Sequence, residues 1–145
     1  MLFRSAFSGR AAGYGAFGGP AHTQRSNEGI ALIAMIETPE GVANAEEIAA
    51  VPGVDAVFVG PNDLAACMGH MGHSNHPEVQ KVIRQVLDTV LACRKAPGIL
   101  AVVEEDAKRY LVWGYTMVGI GSDQGLLIKA SDSLVQRFRE HLSQK

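Results

Sequence analysis

The sequence predicts an α/β fold built on a parallel sheet, because four short apolar segments alternate with segments of helical character. Each apolar segment is continuous rather than alternating, as expected for a strand that is buried on both faces. The intervening segments carry apolar residues at helical spacing, and proline or glycine separates the two patterns. Strands that alternate with amphipathic helices form a parallel sheet with right-handed crossovers.

The first predicted strand–helix unit begins with IALIAMIE, residues 30–37. Thr38 and Pro39 follow, and this pair is typical of an N-cap and the first residue of a helix. The apolar residues that would share one face of this helix are Val42, Ala45, Ile48 and Ala49. VPGVD then ends the helix, and AVFVG, residues 56–60, is the second predicted strand.

The third unit is preceded by a long helix that begins at Pro77, after a loop rich in histidine. The apolar residues of this helix fit an amphipathic pattern without a miss. They are Val79, Val82, Ile83, Val86, Leu87, Val90 and Leu91. APG is expected to end the helix, so that ILAVV, residues 99–103, is the third strand.

The last two helices flank the fourth predicted strand, TMVGIG, residues 116–121. A short helix, EEDAKRYLVWG, precedes this strand and is closed by Gly114. The final helix is expected to direct one apolar face inward. That face consists of Leu126, Leu127, Leu134, Phe138 and Leu142.

Two architectures fit four strand–helix units in succession. One is a small doubly wound sheet, and the other is half of a (β/α)₈ barrel, whose full form needs about 250 residues. Periodicity does not separate them. Both architectures place the chemistry at the carboxyl ends of the strands.

Composition excludes several classes of protein. The chain has 145 residues, enough for one domain, and it is 47% hydrophobic and 19% charged, so that it can bury a core. The net charge of −2 with no basic block argues against nucleic-acid binding. Cys67 and Cys93 lie far apart and form no CxxC, which indicates a reduced, cytoplasmic chain with buried thiols. No apolar run is long enough to cross a membrane.

The first 28 residues differ in composition, because they are rich in glycine and contain Arg4, Arg10 and Arg25, with no acid before Glu28. Such a segment is compatible with an organellar transit peptide. The alternative is a loop that belongs to the fold. In the second case residues 1–28 form a Gly/Arg-rich loop and residues 29–145 form the folded unit.

Two acids stand at predicted strand ends. Glu37 follows the first strand and Asp63 follows the second, so their carboxylates could converge above the sheet. Two carboxylates with few other ligands suit a hard cation such as Mg²⁺ or Mn²⁺, which keeps positions open for water and substrate oxygens. The alternative is that each acid only stabilises the start of the next helix.

Two further groups of polar residues each allow a functional and a structural interpretation. His70, His73 and His76 could form a transition-metal cluster, or they line an exposed loop with His76 as the N-cap of the next helix. GIGSDQG, residues 119–125, could hold a phosphate, or its glycines only relieve crowding and Asp123 caps the last helix. His22 is isolated and is expected to be solvated.

The segment MIETPEGVANAEEIAAVPGVDAVFVGPNDLAACMG, residues 35–69, resembles the metal-dependent class II aldolases that cleave 4-hydroxy-2-oxo acids. The resemblance continues through HPEVQKVI and APGILAVVEEDAKRYLVWGYTMVGIGSD to the final helix, and it covers nearly the whole chain. It implies a (β/α)₈ barrel, of which this chain matches only strands five to eight. It also implies that the glycine- and arginine-rich start is the loop before strand five.

The resemblance also implies a site. The metal ligands of the family correspond to Glu37 and Asp63, and the metal would be Mg²⁺, Mn²⁺ or Co²⁺. The peptide N–H groups of Asn62 and Asp63 match positions that hold the carboxylate of pyruvate, and Leu100 matches a substrate contact. Met35 stands where some members carry a glutamine that touches substrate. The implied reaction releases pyruvate, or a close relative, and an aldehyde from a 2-oxo acid.

The resemblance stops short of a complete enzyme. The catalytic histidine and the substrate-binding arginine of the family lie in the first half of the barrel, and no residue here can inherit their roles. We therefore expect a lyase that is incomplete in this chain, with a missing N-terminal half or a homo-oligomer that closes the sheet. The alternative is a non-catalytic half-barrel, a remnant or an assembly module. No nucleic-acid or membrane partner is expected.

Overall fold

The structure of the protein is a computed structural model that describes residues 28–143. The chain divides into two compact units, Met1–Leu32 and Ile33–Lys145. All of the strands and helices described below belong to the second unit. The predictions for residues 1–27, including that of a solvated His22, lie outside the described residues.

Strands and helices alternate along the described residues, as the sequence predicts. The strands are Ile33–Ile36 (β1), Ala56–Val59 (β2), Ala96–Leu100 (β3) and Met117–Gly119 (β4). The helices are Pro39–Ala43 (α1), Ala45–Ala50 (α2), Pro61–Cys67 (α3), Pro77–Ala92 (α4), Glu104–Trp113 (α5) and Asp123–Ser143 (α6).

The four strands form one parallel sheet in the order β1-β2-β3-β4. This result confirms the prediction of an α/β fold with a parallel sheet. Each strand lies beside its neighbour in sequence, whereas a doubly wound sheet contains a point at which the strand order reverses. The observed order therefore favours the barrel-like alternative over the doubly wound one.

The two faces of the sheet have different environments. One face packs against the helices in a single hydrophobic core, and its central row consists of Ile36, Val59, Ile99 and Val118. The adjacent row on the other face runs through Met35, Phe58, Gly98 and Met117. Met35 on this second face is 61% exposed. Ala56 and Gly98 on the same face are buried, and Phe58 is half-buried. The prediction of strands buried on both faces therefore holds for the centre of the sheet, at β2 and β3, but not for β1.

Helix α4 provides the largest share of the core. Its buried side chains are Val79, Ile83, Val86, Leu87 and Val90. These are five of the seven positions that its apolar periodicity predicts, whereas Val82 is half-buried and Leu91 is 45% exposed. Tyr115 is buried and lies two residues before β4, and its hydroxyl donates a hydrogen bond of 3.0 Å to the carbonyl oxygen of Ile83. This contact joins α4 to the last strand of the sheet.

The third strand begins three residues before the predicted start, at Ala96 rather than Ile99. The prediction used Pro97 and Gly98 as helix-ending signals, but both residues lie within β3. Pro97 lacks an N–H group, but it is the second residue of β3, and the pairing of β3 with β4 begins only at the next residue, Gly98. A proline at the start of a strand is tolerated. At Gly98 an added Cβ would lie 2.6 Å from both the Phe58 ring and the Met117 side chain. Glycine thus leaves room for two large neighbours.

The final helix does not direct its apolar face inward, and that prediction is wrong. None of the residues of α6 is buried. Leu134, Phe138 and Leu142 are 48%, 63% and 68% exposed. The periodicity of α6 is real, but no strand or helix of the described residues covers it.

Three smaller predictions have mixed outcomes. The hydroxyl of Thr38 caps α1 by accepting a 3.1 Å hydrogen bond from the N–H of Gly41, as predicted. However, the helix that follows is broken at Asn44 into α1 and α2. Gly114 ends α5 with a φ of 115°, a left-handed conformation that glycine adopts without strain. The predicted burial of the thiols is wrong for Cys67, which is exposed, while Cys93 is half-buried.

Across the described residues, every helix is too short or too polar to cross a lipid bilayer.

Candidate functional site

The carboxylates of Glu37 and Asp63 converge beside Gly60. Glu37 immediately follows β1, and Asp63 lies in the first turn of α3, which begins directly after β2. The N–H of Gly60 donates a 3.1 Å hydrogen bond to Ile36, which holds the two strand ends together. A Cβ atom at Gly60 would lie 3.1 Å from Glu37 Oε2 and 3.9 Å from Asp63 Oδ2. Both oxygens thus border the space that the missing side chain leaves.

Neither carboxylate has a structural role as a helix cap among the described residues. Thr38, not Glu37, caps α1, and α3 has no side-chain cap at Gly60. Asp63 does lie in the first turn of α3, where a negative charge stabilises a helix, as the alternative prediction states. No salt bridge within residues 28–143 involves Glu37 or Asp63. The half-buried position of Glu37 and the exposed position of Asp63 leave one carboxylate beside the strands and the other open to solvent.

A cavity of about 240 Å³ lies at the carboxyl ends of β2 and β3. It brings together Asn62 and Leu100, two residues that the family resemblance implies contact the substrate. The remaining lining residues are Pro61, Gly72, Ser74, Asn75, Ala101, Val102, Val103, Asp106 and Tyr110. Glu37, Asp63 and Met35 are not part of its lining. Met35 lies instead on the open face of the sheet.

A polar network forms one wall of the cavity, and sequence reasoning missed it. Arg109 donates a 2.7 Å hydrogen bond to Asn75 and lies 2.9 Å from a carboxylate oxygen of Asp106. Asn75 in turn donates a 3.0 Å hydrogen bond to Asp106. The Arg109–Asp106 spacing on α5 is visible in the sequence, but Asn75 is more than 30 residues away. Only the fold brings the loop before α4 onto α5.

The histidine-rich loop contains a second group of potential metal ligands. His70, His76 and Glu78 each have a ligand atom within 4.8 Å of the others. The prediction that His76 caps the next helix is confirmed, because its Nδ1 accepts a 3.4 Å hydrogen bond from the N–H of Glu78. The hydrogen bond from His70 is the main cause that lowers the pKa of the Glu78 carboxyl. His73 is exposed and lies outside this group.

The loop after β4 caps the last helix. The hydroxyl of Ser122 accepts a 3.0 Å hydrogen bond from the N–H of Gly125, and Asp123 Oδ1 accepts one of 2.7 Å from the N–H of Gln124. The structural interpretation of GIGSDQG named Asp123 as the cap, but Ser122 makes the capping hydrogen bond and Asp123 is the first residue of the helix. A phosphate-binding role for the loop remains untested.

The sequence is similar to proteins of one family. Residues 8–130 match the sequence profile described as HpcH/HpaI aldolase/citrate lyase. The chain is 47% identical over 121 residues to a 5-keto-4-deoxy-D-glucarate aldolase of Enterobacter sp. (strain 638), covering 83% of this chain and 47% of the relative. It is 47% identical over 116 residues to the enzyme of the same name from Shigella dysenteriae serotype 1 (strain Sd197), covering 80% and 45%. The chain thus spans about half the length of these relatives.

Solved structures of the same family share the fold. An HpcH/HpaI aldolase/citrate lyase family protein from Burkholderia cenocepacia J2315 superposes with a TM-score of 0.78 at 36% identity, covering 95% of this chain and 53% of that protein. The HpcH/HpaI aldolase from Desulfitobacterium hafniense DCB-2 gives a TM-score of 0.76 at 26% identity, covering 86% and 50%.

Proposed function

The chain belongs to the HpcH/HpaI aldolase/citrate lyase family, and on that premise we propose that it carries the metal- and carboxylate-binding part of an aldolase site. The reaction is the divalent-metal-dependent cleavage of a 4-hydroxy-2-oxo acid to pyruvate, or a close relative, and an aldehyde. The observation that carries this proposal is the convergence of the Glu37 and Asp63 oxygens beside Gly60. The enzyme would be a carbon–carbon lyase of the cytoplasm.

The space beside Gly60 fits a hard cation. A side chain there would contact the Glu37 carboxylate at 3.1 Å, so glycine leaves the oxygens accessible. Two carboxylate ligands suit Mg²⁺, Mn²⁺ or Co²⁺, which take oxygen ligands and leave positions for water and substrate. A cation held by Glu37 and Asp63 would act as a Lewis acid on the oxygens of the 2-oxo acid.

The first turn of α3 would orient the substrate. The N–H groups of Asn62 and Asp63 lack carbonyl partners within the helix, because the first N–H groups of any helix do. In the proposed complex they would donate hydrogen bonds to the carboxylate of the 2-oxo acid. Leu100 and Asn62 border the cavity of about 240 Å³, which would take the remainder of the substrate. Met35 is the weakest of the proposed contacts, since it lies outside this cavity.

We further propose that the sheet corresponds to strands five to eight of a (β/α)₈ barrel. Its sequential strand order and one-sided helix packing support this view, as does the half-length match to the relatives. Residues that complete the barrel would supply the proton transfers. Loss of a general acid or base typically costs about 10²–10⁴-fold in rate. The 145-residue chain assayed alone is therefore expected to be far slower than a complete enzyme.

Cation binding tests the proposal directly. We expect Mn²⁺, followed by electron paramagnetic resonance, to bind wild type in a one-to-one complex that Mg²⁺ displaces. Glu37→Gln and Asp63→Asn should each weaken binding by at least about tenfold, the lower end of the cost of losing a supporting group at a metal site. Glu40→Gln, an exposed acid on α1, is the matched control. Equal Mn²⁺ affinity in all four proteins would exclude the carboxylate pair as the site.

Complementation tests the reaction. The first half of the Enterobacter relative, which this chain does not match, is co-expressed with the chain, and pyruvate release from 5-keto-4-deoxy-D-glucarate is followed. We expect the pair to release pyruvate, and Asp63→Asn to abolish it. A complex that forms and binds Mn²⁺ without turnover would support the alternative of a non-catalytic half-barrel. Turnover near that of the complete relative by the chain alone would contradict the half-site proposal.

A further inference from the structure

The loop before α4 brings two imidazoles and a carboxylate together at a place separate from the Glu37/Asp63 pair. His70 Nε2 lies 2.9 Å from Glu78 Oε2, and the rings of His70 and His76 stack with centroids 3.7 Å apart. The ligand atoms of all three residues lie within 4.8 Å of one another. No part of the proposed aldolase reaction uses these side chains.

The local sequence builds this cluster by two successive turns. In HMGHSNH the histidines recur every third residue. The N–H of His73 donates to the carbonyl of His70, and the N–H of His76 donates to that of His73, both at 2.9 Å. Gly69 and Gly72 adopt φ values of 82° and 78°, which place the turns at little steric cost. The first and third histidines therefore meet, while His73 is exposed.

The loop is held from the other side as well. Asn75 donates a 3.0 Å hydrogen bond to Asp106 and accepts one of 2.7 Å from Arg109, both on α5. The neighbouring His76 caps α4 through its ring. The backbone that carries the cluster is thus fixed at both ends, so that little chain entropy opposes ligand binding.

We propose that His70, His76 and Glu78 form a Zn²⁺ site. Two imidazole nitrogens and one carboxylate oxygen are ligands that zinc takes at about 2.0–2.2 Å, with a fourth position for solvent. Mg²⁺ and Ca²⁺ take oxygen ligands and are disfavoured here. The Glu78 side chain is 70% exposed, and its carboxylate already lies beside the His70 ring, so both groups can turn onto the same ion. The nitrogen lone pairs of two stacked rings point in parallel directions and cannot meet at one ion. The rings of His70 and His76 therefore move apart when both bind the same Zn²⁺ ion.

A Zn²⁺ ion at this site would stabilise one wall of the cavity. Gly72, Ser74 and Asn75 line the cavity of about 240 Å³, and the site brackets them between His70 and His76. A bound ion would link the start of the loop to the start of α4 and fix this wall. The role is structural, and no step of the proposed reaction passes through it.

Calorimetric titration of the untagged 145-residue chain with ZnCl₂ tests the site. Excess MgCl₂ is present throughout, because it fills the carboxylate pair and does not compete for imidazole. We expect one Zn²⁺ per chain in wild type. His70→Gln, Glu78→Gln and His76→Asn should each weaken binding by at least about tenfold. Asparagine at position 76 preserves a helix cap, which keeps that variant folded.

His73→Gln is the matched control, since it removes an imidazole from the same loop outside the cluster. It should leave Zn²⁺ affinity unchanged. Zn²⁺ should therefore raise the Tm of wild type and of His73→Gln, but not that of the three cluster variants. Co²⁺ added to wild type should give the intense visible absorption of tetrahedral nitrogen coordination, a readout that needs no variant. Absence of stoichiometric binding, or equal losses in the control and the cluster variants, would overturn the proposal.

Discussion

Helices α4 and α6 have similar sequence patterns and opposite environments. Both carry apolar residues at helical spacing over many turns. Five residues of α4 are buried, whereas none of α6 is. Helix α4 contacts β3, α2 and α3, while α6 follows the edge strand β4. Apolar periodicity thus predicts which face of a helix needs a partner, but the neighbouring elements decide whether that partner is present.

The exposed face of α6 has an energetic consequence. Burying a leucine or phenylalanine side chain stabilises a protein by about 1.5–3 kcal/mol. Leu134, Phe138 and Leu142 do not gain this stabilisation within the described residues. Soluble monomers rarely expose large contiguous apolar patches. We therefore expect the apolar residues of α6 to stabilise an association between chains, and those of α4 to stabilise the fold of the single chain.

Hydrogen exchange should show the largest difference between the two helices. In dilute protein the amides of α4 should exchange only through global unfolding, and should be slowed by a factor on the order of 10³ or more. The amides of α6 should be far less protected, because a helix without tertiary packing is marginal in water. Exchange measured by mass spectrometry on proteolytic peptides checks this. Equal protection in both helices would show that α6 has a partner within the monomer.

Substitution in each helix should separate their contributions. Leu87→Ala, at a fully buried position of α4, should lower the free energy of unfolding by about 2–5 kcal/mol, because it leaves a cavity in the core. Leu142→Ala, at an exposed position of α6, should change it by no more than about 0.5 kcal/mol. Urea unfolding followed by circular dichroism measures both. Comparable losses from the two substitutions would contradict the contrast.

Self-association should depend on α6. We expect the isolated chain to form dimers or larger species, because α6 and the edge strands β1 and β4 present apolar surface. Replacing Leu134, Phe138 and Leu142 together by serine should weaken association by about tenfold or more, equivalent to about 1.4 kcal/mol. Light scattering across a dilution series measures this. The triple replacement of Glu40, Lys81 and Lys108 by serine, all exposed residues outside α6, is a control on surface composition.

A stable, monodisperse monomer of 15.4 kDa with cooperative unfolding would contradict this prediction. It would also remove the support for an incomplete barrel and revive a small self-contained sheet. Association that persists after the serine replacements would instead point to the edge strands as the contact.

The smallest effect concerns the tie between α4 and Tyr115. Burial raises the pKa of the Tyr115 hydroxyl above its ordinary value of 10.0. A group with a raised pKa in the folded state contributes stability below its unfolded pKa, and this contribution falls as the pH rises above it. The free energy of unfolding should thus fall above about pH 10, by at most about 1.4 kcal/mol per pH unit for this group. Tyr115→Phe should flatten this decline and cost about 1 kcal/mol at neutral pH.

Unfolding measured at several pH values between neutral and alkaline conditions checks the tyrosine prediction. Other ionisations contribute to the wild-type curve, so the difference between wild type and Tyr115→Phe is the relevant quantity. A difference that does not change above about pH 10 would show that the hydroxyl is not buried in solution.

The histidine-rich loop and the network on α5 show where sequence reasoning stops. The pattern HMGHSNH identifies three potential ligands, but which two meet depends on the left-handed backbone at Gly69 and Gly72. Asp106 and Arg109 are recognisable as a helical ion pair. Their contact with Asn75 joins residues more than 30 positions apart, and no periodicity reports it.

The sequence by itself determined the strand–helix alternation, the parallel sheet, the caps at Thr38 and His76, and the placement of Glu37 and Asp63 near strand ends. These features depend on local patterns and on residues close in the chain. The start of β3 was missed because Pro97 and Gly98 break helices locally, whereas strand pairing with β2 and β4 admits them.

Only the tertiary structure decided which face of the sheet is covered and that α6 lies uncovered. It also placed the two carboxylates beside Gly60 and formed the cavity that Asn62 and Leu100 line. These outcomes depend on distances between segments that are remote in sequence. The physical reason is that burial is a property of a pair of surfaces. One amphipathic segment specifies its own surface, and the packing of the whole chain specifies the other.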